Sequence, residues 1–244
     1  MTKLEFELEF KEVTAKDNGG IPVIIVAAGS SSRMKGINKQ FASIAGIPVI
    51  ARTLLAFENS PLISKIILVT KKEFIPDMQL IADKYMIGKI DCIIEGGNDR
   101  HASVMNGINA LSKEDFKVLI HDGARPFVTN KIIKDCVDAL LGADGCLCGI
   151  KINDTVKKVD ENGVVTETID RTYLYGAQTP QGVNVALYKK ASEEFENKDF
   201  TDDAGVLEAA GYIVKMVEGS SSNIKITCAE DLEFAESLII KGEV

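Results

Sequence analysis

The sequence predicts an α/β protein built on a doubly wound, mostly parallel sheet. Short apolar runs typical of buried strands alternate with segments of helical periodicity, and the runs end in glycine-rich or polar loops. The chain has 244 residues and is 45% hydrophobic, which suffices for one substantial core. A regular strand, loop and helix order places helices on both faces of a parallel sheet. We therefore expect one Rossmann-like domain over residues 21–244, preceded by an N-terminal extension over residues 1–20.

The strand and helix candidates follow one another along the chain. Strands are predicted at Ile21–Gly29, Ser64–Thr70, Lys89–Gly97, within Phe116–Phe127, at Gly145–Ile152 and within Tyr212–Gly219. Helices are predicted within Val49–Pro61, Pro76–Met86, Ser103–Lys113, Ile132–Gly145, Val185–Glu196, Thr201–Gly211 and Ala229–Ile240. Ligands on such sheets bind beyond the carboxyl ends of the strands, so the loops after Val26, Ile94 and Ile120 should converge on one crevice.

The alternation breaks near Thr155, where a β-hairpin is predicted. The segments DTVKKV and VVTETIDR flank Glu161-Asn162-Gly163, and Asn-Gly is a strong hairpin turn signal. We predict a hairpin arm over about residues 152–172 that projects from the sheet. It is either a surface excursion or an arm that clasps a second subunit, and the sequence leaves both interpretations open.

The N-terminal extension has a different pattern. Leu4, Phe6, Leu8 and Phe10 alternate with charged residues in a strict period of two. This pattern predicts an extra edge strand, and a disordered or artificial leader is the alternative.

Composition limits the classes of partner. The net charge of −8 argues against nucleic acid or an anionic membrane surface. No apolar run approaches the roughly 18–20 residues of a membrane span, and the N-terminus is too charged for a secretory signal. The five cysteines show no metal-like or redox spacing, which indicates buried, reduced thiols in a cytoplasmic protein. An anionic substrate would therefore need a local basic pocket.

The loop from Ala27 to Lys39, AAGSSSRMKGINK, carries the features of a phosphate site. Small residues let a ligand approach the backbone, three serines add donors, and Arg33 and Lys39 add two positive charges. The loop is neither a G-x-x-x-x-G-K-[ST] nor a G-x-G-x-x-G motif. A surface turn is the alternative, but the position directly after the first buried strand favours phosphate binding.

Two further loops hold candidate ligand contacts. In EGGNDRHAS, Gly97 permits close backbone contact, while Asn98 and Ser103 could recognise a nucleobase edge; a capped turn is the alternative. In HDGARP, Asp122 could hold a ribose hydroxyl or a metal-bound water. His121 is expected to be a packed histidine rather than a base, which leaves little support for a His-based triad.

Several independent motifs in a fixed order resemble one enzyme family. From about Ile21 to Ile239 the chain is similar to 2-C-methyl-D-erythritol 4-phosphate cytidylyltransferases. The motifs that carry this resemblance are AAGSSSRM…KQF, GGNDRHAS, HDGARPF, NDTVKK, DR…LYGAQTPQ, TDDA and EGSSSNIKIT.

The resemblance implies a reaction, a cofactor and an assembly. It implies transfer of CMP from CTP to methylerythritol phosphate, Mg²⁺ held largely by the CTP phosphates, a nucleotidyltransferase fold, and a homodimer interlocked by hairpin arms. Arg33 and Lys39 would stabilise the transition state, and Arg171 and Lys225 would position the acceptor. The implied CTP site comprises Ala27, Ala28, Gly29, Ser30, Gly97, Asn98 and Ser103. The implied substrate and ribose contacts are Asp122, Arg125, Thr155, Thr179 and Thr201.

The chain departs from the family pattern in places that bear on its substrate. Arg33 and Lys39 are one residue closer than usual, and Tyr175 stands where tryptophan is common. The closest alternative is ribitol-5-phosphate cytidylyltransferase, and HDGARP resembles the methylerythritol enzymes more. A non-catalytic nucleotide-binding protein would be expected to lose cations that this chain keeps.

Overall fold

The computed structural model describes residues 19–29, 38–196 and 198–244. The strands are β1 (Ile21–Val26), β2 (Ser43–Ile44), β3 (Ile47–Pro48), β4 (Ile63–Thr70), β5 (Ile90–Glu95), β6 (Lys117–Asp122), β7 (Gly145–Lys151), β8 (Val156–Val159), β9 (Val165–Ile169), β10 (Tyr175–Asn184) and β11 (Val214–Glu218). The helices are α1 (Val49–Glu58), α2 (Ile75–Lys84), α3 (Arg100–Asn109), α4 (Asn130–Ala139), α5 (Val185–Glu194), α6 (Asp203–Ala209) and α7 (Ala229–Ile240). The N-terminal edge strand predicted for Leu4–Phe10 lies outside the described residues.

A seven-stranded sheet in the order β11-β7-β10-β6-β1-β4-β5 forms the centre of the molecule. β1 pairs parallel with β4 and β6, β4 pairs parallel with β5, and β11 pairs parallel with β7. Only β10 runs antiparallel to its neighbours in this sheet, β6 and β7. The predicted α/β class with a mostly parallel sheet is confirmed.

Helices cover both faces of this sheet because its central strands are apolar on both sides. In β1, Val23 and Ile25 join one buried cluster, whereas Ile24 joins the cluster on the opposite face. The first cluster includes apolar residues of α1, α2 and α4, and the second includes those of α3, α5 and α6. Two-sided burial is typical of parallel strands, and it explains why β1 is an unbroken apolar run.

The central strand β10 is the main element that the sequence analysis did not predict. Its sequence, YGAQTPQGVN, contains two glycines, two glutamines and a proline, all unfavourable or neutral in strands. Pro180 lies where the register with β7 shifts between Ala177 and Gln181, so it interrupts no regular ladder there. Pairing with strands on both sides, rather than local propensity, stabilises β10.

The predicted hairpin is present as a separate two-stranded sheet formed by β8 and β9. Its side chains are mostly exposed. Within the part of the chain that the structure describes, no helix is long and apolar enough to cross a bilayer.

Candidate active site

A cleft of about 580 Å³ opens at the carboxyl ends of β1, β4, β5 and β6. The loops after these strands line it, together with Lys225 from the segment between β11 and α7. The predicted convergence of the loops after Val26, Ile94 and Ile120 is confirmed. Parallel strands bring their polar ends to one edge of the sheet, which is why residues far apart in sequence meet here.

The described part of the first loop contributes small residues and the cation of Lys39. Ala28, Gly29 and Lys39 line the cleft, while Ala27 is buried and its N–H donates to the Val69 carbonyl at 2.7 Å. The predicted contacts Ser30 and Arg33 lie outside the described residues. A ligand in the cleft can therefore approach the backbone at Gly29 with the Lys39 ammonium nearby.

The second loop is packed too tightly to accept side chains at its glycines. A Cβ on Gly97 would lie 2.3 Å from the Ala102 Cβ, and a Cβ on Gly96 would lie 2.5 Å from the Ala28 Cβ. The Ser103 hydroxyl accepts from the Gly97 N–H at 3.0 Å and donates to the Asp99 carbonyl at 2.7 Å. Ser103 thus holds the shape of the loop, and Gly97 and Asn98 line the cleft beside it.

This loop leads directly into α3 through a side-chain cap. The Asp99 carboxylate accepts from the Ala102 N–H at 2.7 Å, so α3 begins at Arg100, three residues earlier than the sequence predicted. The earlier start orients Arg100 into the cleft.

Asp122, at the end of β6, lies at the centre of a cluster of cations. Its carboxylate is 2.8 Å from the Lys225 Nζ, 3.4 Å from the Arg100 Nε and 3.6 Å from the Arg125 Nε. Burial opposes ionisation, but the surrounding cations, Lys225 foremost, outweigh it and hold the pKa of Asp122 well below its usual range. The carboxylate is therefore charged and fixes three cationic groups at the floor of the cleft.

Buried residues on either side of Lys225 hold its backbone in place. Ile226 is fully buried and its N–H donates to the Ala124 carbonyl at 2.8 Å. Asn223 is also fully buried and donates to the Thr179 carbonyl at 2.9 Å. Lys225 between them projects into the cleft, with 37% of its side chain exposed.

Arg100 connects the cleft to α6 through a buried ion pair. Its two terminal nitrogens donate to the Asp203 carboxylate at 2.9 and 2.7 Å, and Asp203 is 1% exposed. The Asp203 N–H in turn donates to the Gln181 Oε1 at 2.9 Å. A bidentate pair of this kind restricts the guanidinium in distance and in plane, so Arg100 has little freedom to move.

His121 and Thr179 lie beneath the cleft floor and do not line it. The His121 Nε2 is 3.1 Å from the Arg125 carbonyl, which can only accept, so Nε2 carries the proton. The Thr179 hydroxyl then donates to Nδ1 at 3.0 Å and accepts from the Asp122 N–H at 3.1 Å. Burial above all lowers the pKa of His121 to about 4, so the ring is neutral and supports Asp122 from below.

The remaining predicted contacts do not line this cleft. Arg125 is largely buried and donates to the Asn223 carbonyl at 2.8 Å. Thr201 is exposed just before α6, and Thr155 and Arg171 are exposed at the base of the hairpin, 3.4 Å apart. Of the predicted site residues that are described, one group therefore lines a single cleft and another lies on the arm.

A family model describing 2-C-methyl-D-erythritol 4-phosphate cytidylyltransferase matches residues 21–241. The chain belongs to this cytidylyltransferase family. A family enzyme of Halalkalibacterium halodurans is 42% identical over 91% of this chain and 97% of its own. One of Clostridium acetobutylicum is 43% identical over 91% of this chain and 98% of its own.

The family assignment extends to the fold. The crystal structure of 4-diphosphocytidyl-2C-methyl-D-erythritol synthase from Anaerococcus prevotii superposes with a TM-score of 0.83 and 32% identity. It covers 94% of this chain and all of the other. The described residues therefore share the fold of this cytidylyltransferase family.

Several charged residues at or beside the cleft were not singled out by the sequence analysis. Arg100 and Asp203 pair across 103 positions in the chain, and Lys71 and Lys72 follow β4. The signals available were a cation inside the GGNDRHAS motif and an acid beside a predicted helix start. Neither signal shows which distant partner it meets.

Proposed function

We propose that the protein transfers CMP from CTP to 2-C-methyl-D-erythritol 4-phosphate. The products are 4-diphosphocytidyl-2-C-methyl-D-erythritol and pyrophosphate, a step of isoprenoid precursor synthesis by the non-mevalonate route. The observation that carries the proposal is the convergence of the Gly29, Gly97 and Lys225 loops on one cleft in a chain that matches this family over residues 21–241.

The main barrier that the protein must lower is the repulsion between the acceptor phosphate and the triphosphate of CTP. An oxygen of the acceptor phosphate attacks the α-phosphorus of CTP in line, and the bond to the bridging oxygen of pyrophosphate breaks. The attacking oxygen is already ionised near neutral pH, so no strong base is needed. Positioning and fixed positive charge supply the catalysis.

The cleft supplies that charge in a preorganised form. Lys225 is held 2.8 Å from Asp122, and Lys39 lines the cleft beside Gly29. We propose that Lys39 and Arg33 stabilise charge on the reacting phosphates, while Lys225 orients the acceptor phosphate. Ala28, Gly29, Gly97 and Asn98 would contact CTP.

A divalent cation fits this arrangement as a partner of the phosphates. Among the described residues, no group of three or more His, Cys, Asp or Glu side chains could hold a metal. Asp122 is the cleft carboxylate nearest the cations, and Lys225 and Arg100 already neutralise it. We propose that Mg²⁺ is held mainly by the CTP phosphate oxygens, where it would offset their negative charge.

The acceptor side of the site is proposed to be completed by a second subunit. Thr155 and Arg171 lie on the arm and do not line the cleft of their own chain. We propose that the arms exchange in a homodimer, so that Arg171 of one chain meets the acceptor phosphate bound in the cleft of the other.

Turnover of CTP with two acceptors tests the proposed reaction. We expect pyrophosphate release with Mg²⁺ to be fastest with methylerythritol phosphate and slow with ribitol 5-phosphate. Faster turnover of ribitol 5-phosphate would reassign the acceptor. Absence of pyrophosphate with either acceptor, in protein that binds CTP, would indicate a non-catalytic nucleotide-binding protein.

A further inference from the structure

The carboxyl end of β4 lies between the two loops assigned to the nucleotide. On one side the Ala27 N–H donates to the Val69 carbonyl at 2.7 Å. On the other side the Gly96 N–H donates to the Thr70 carbonyl at 2.8 Å. Lys71, the next residue, therefore leaves the sheet between the small residues of the first loop and the glycines of the second.

The turn that follows packs against the segment next to Lys39. Lys72–Phe74 form a single 3₁₀ turn, closed by the Phe74 N–H to the Lys71 carbonyl at 2.9 Å. The Phe74 ring packs edge-on against Phe41, with centroids 5.3 Å apart. Phe41 is two residues beyond Lys39, so this contact holds the Lys71–Lys72 pair and Lys39 at the same cleft.

Both lysines line the cleft, and their charge is poorly compensated. The Lys71 Nζ is 4.0 Å from the Glu73 carboxylate, a long contact between exposed side chains that solvent weakens. Within the described ranges Lys72 has no acidic partner within 4 Å, whereas Lys225 is paired with Asp122 at 2.8 Å. Two adjacent ammonium groups at the cleft are therefore available to pair with an anionic ligand.

We infer that Lys71 and Lys72 bind the terminal phosphates of CTP and keep this contact with pyrophosphate as it leaves. The inference rests on the proposed function, since it assigns these cations to the leaving group of that reaction. The terminal phosphates carry most of the negative charge of CTP, and ammonium groups bind phosphate as mobile point charges without a fixed geometry. The pair adds two positive charges where the chain leaves β4 at the cleft.

The test compares ligands that share cytidine and differ in phosphates. In the variant Lys71→Gln/Lys72→Gln we expect CTP, titrated with Mg²⁺ by calorimetry, to bind about tenfold more weakly, and CMP less than twofold more weakly. Inhibition by pyrophosphate should weaken in parallel with CTP binding. These differences should shrink at high salt, because salt screens exposed charges.

A matched variant removes two lysines that do not line the cleft. Lys131→Gln/Lys134→Gln takes two charges from α4, where each lysine pairs with an aspartate four residues on. We expect unchanged CTP and CMP affinities for it. Thermal unfolding of both double variants should match the parent, since all four side chains are at the surface.

Each outcome has a defined meaning. Equal weakening of CTP and CMP in Lys71→Gln/Lys72→Gln, or no weakening of either, would overturn the inference. If the parent binds CTP and the variant loses that binding selectively, but the parent transfers no CMP, the proposed reaction fails while the phosphate contact stands.

Discussion

The cleft floor and the hairpin arm hold their proposed site residues in opposite ways. At the floor, Asp122, Arg100 and Lys225 are held by ion pairs and hydrogen bonds among buried or half-buried groups. On the arm, Arg171 and Thr155 are exposed, and the Arg171 guanidinium donates to the Thr155 hydroxyl at 3.4 Å. Among residues 19–29, 38–196 and 198–244 no further strand joins the β8–β9 pair, and an isolated hairpin is marginally stable in water.

This difference indicates that the cleft floor is ordered before a ligand binds and that the arm is less firmly held. Groups fixed before the ligand arrives lose no further freedom on binding, which suits the stabilisation of charge on phosphates. An exposed arm gains its order from whatever it packs against. Its valines Val159, Val164 and Val165 are exposed, so the arm carries uncovered apolar surface.

Removing the Asp203 carboxylate should lower the free energy of unfolding more than any other change proposed for the cleft floor. Asp203→Ala leaves the half-buried Arg100 without its bidentate partner, and loss of one member of a buried pair costs about 3–5 kcal/mol of unfolding free energy. Chemical denaturation would measure this. The matched change Asp135→Ala, in an exposed pair with Lys131, should cost less than about 1 kcal/mol. Equal losses in the two variants would contradict a special role for the buried pair.

The buried histidine should make the stability of the floor depend on pH. The pKa of His121 is lowered to about 4 in the fold from 6.5 in the unfolded chain, chiefly by burial. As pH falls from 6.5 to 4, His121 binds a proton in the unfolded chain but stays largely neutral in the folded one. The free energy of unfolding therefore falls by about 3 kcal/mol. Asp122 has a lowered pKa, so its own contribution is lost only below its ordinary value of 3.8.

The variant His121→Gln isolates this contribution. Its unfolding free energy should decline less between pH 6.5 and 4 than that of the parent, whatever its stability at pH 8. Parallel pH profiles for the two proteins would show that His121 is not the group responsible.

A methyl group at Gly97 should disturb the nucleotide loop with a smaller effect. The new Cβ would lie 2.3 Å from the Ala102 Cβ, and overpacking of this kind costs about 1–3 kcal/mol. CTP affinity should fall as the loop moves. Gly88→Ala places its Cβ at an ordinary 3.6 Å from Glu58 and should change stability by less than about 0.5 kcal/mol. Unchanged CTP binding in Gly97→Ala would count against this loop as part of the nucleotide site.

The smallest change in stability is expected on the arm. Arg171→Ala removes an exposed side chain, so the unfolding free energy should change by less than about 0.5 kcal/mol. Turnover should nevertheless fall strongly, with the loss concentrated in the use of methylerythritol phosphate rather than CTP. A variant as unstable as Asp203→Ala would show that the arm is part of the folding core.

The sequence predicted those parts of the fold in which local pattern and tertiary position agree. β1, β4 and β7 are apolar runs and are buried strands, and α7 has the predicted limits Ala229–Ile240. β10 was missed because its ten residues carry no strand pattern and acquire their conformation from β6 and β7. The short strands β2 and β3 pair over only four residues, too few for a periodic signal.

The sequence predicted which loops form the candidate site, but it did not predict which side chains pair within it. Strand ends placed the loops of Gly97 and Asp122 near one another, the family resemblance added Lys225, and all three residues line the cleft. The pairing of Arg100 with Asp203 depends on how α3 and α6 pack, which local sequence does not encode. The roles of Arg125, Thr179 and Thr201 in substrate binding remain predictions.

The division of labour between cleft and arm is tested most directly by mixing two inactive variants. Lys39→Ala removes a cleft cation and Arg171→Ala removes the arm cation, and subunit exchange can be verified with differently tagged chains. If each site combines the cleft of one chain with the arm of the other, a mixed dimer holds one intact site and one doubly defective site. An equal mixture should then recover about a quarter of the parent activity, since half of the dimers are mixed. Activity that stays at the level of the separate variants, despite demonstrated exchange, would contradict a shared site.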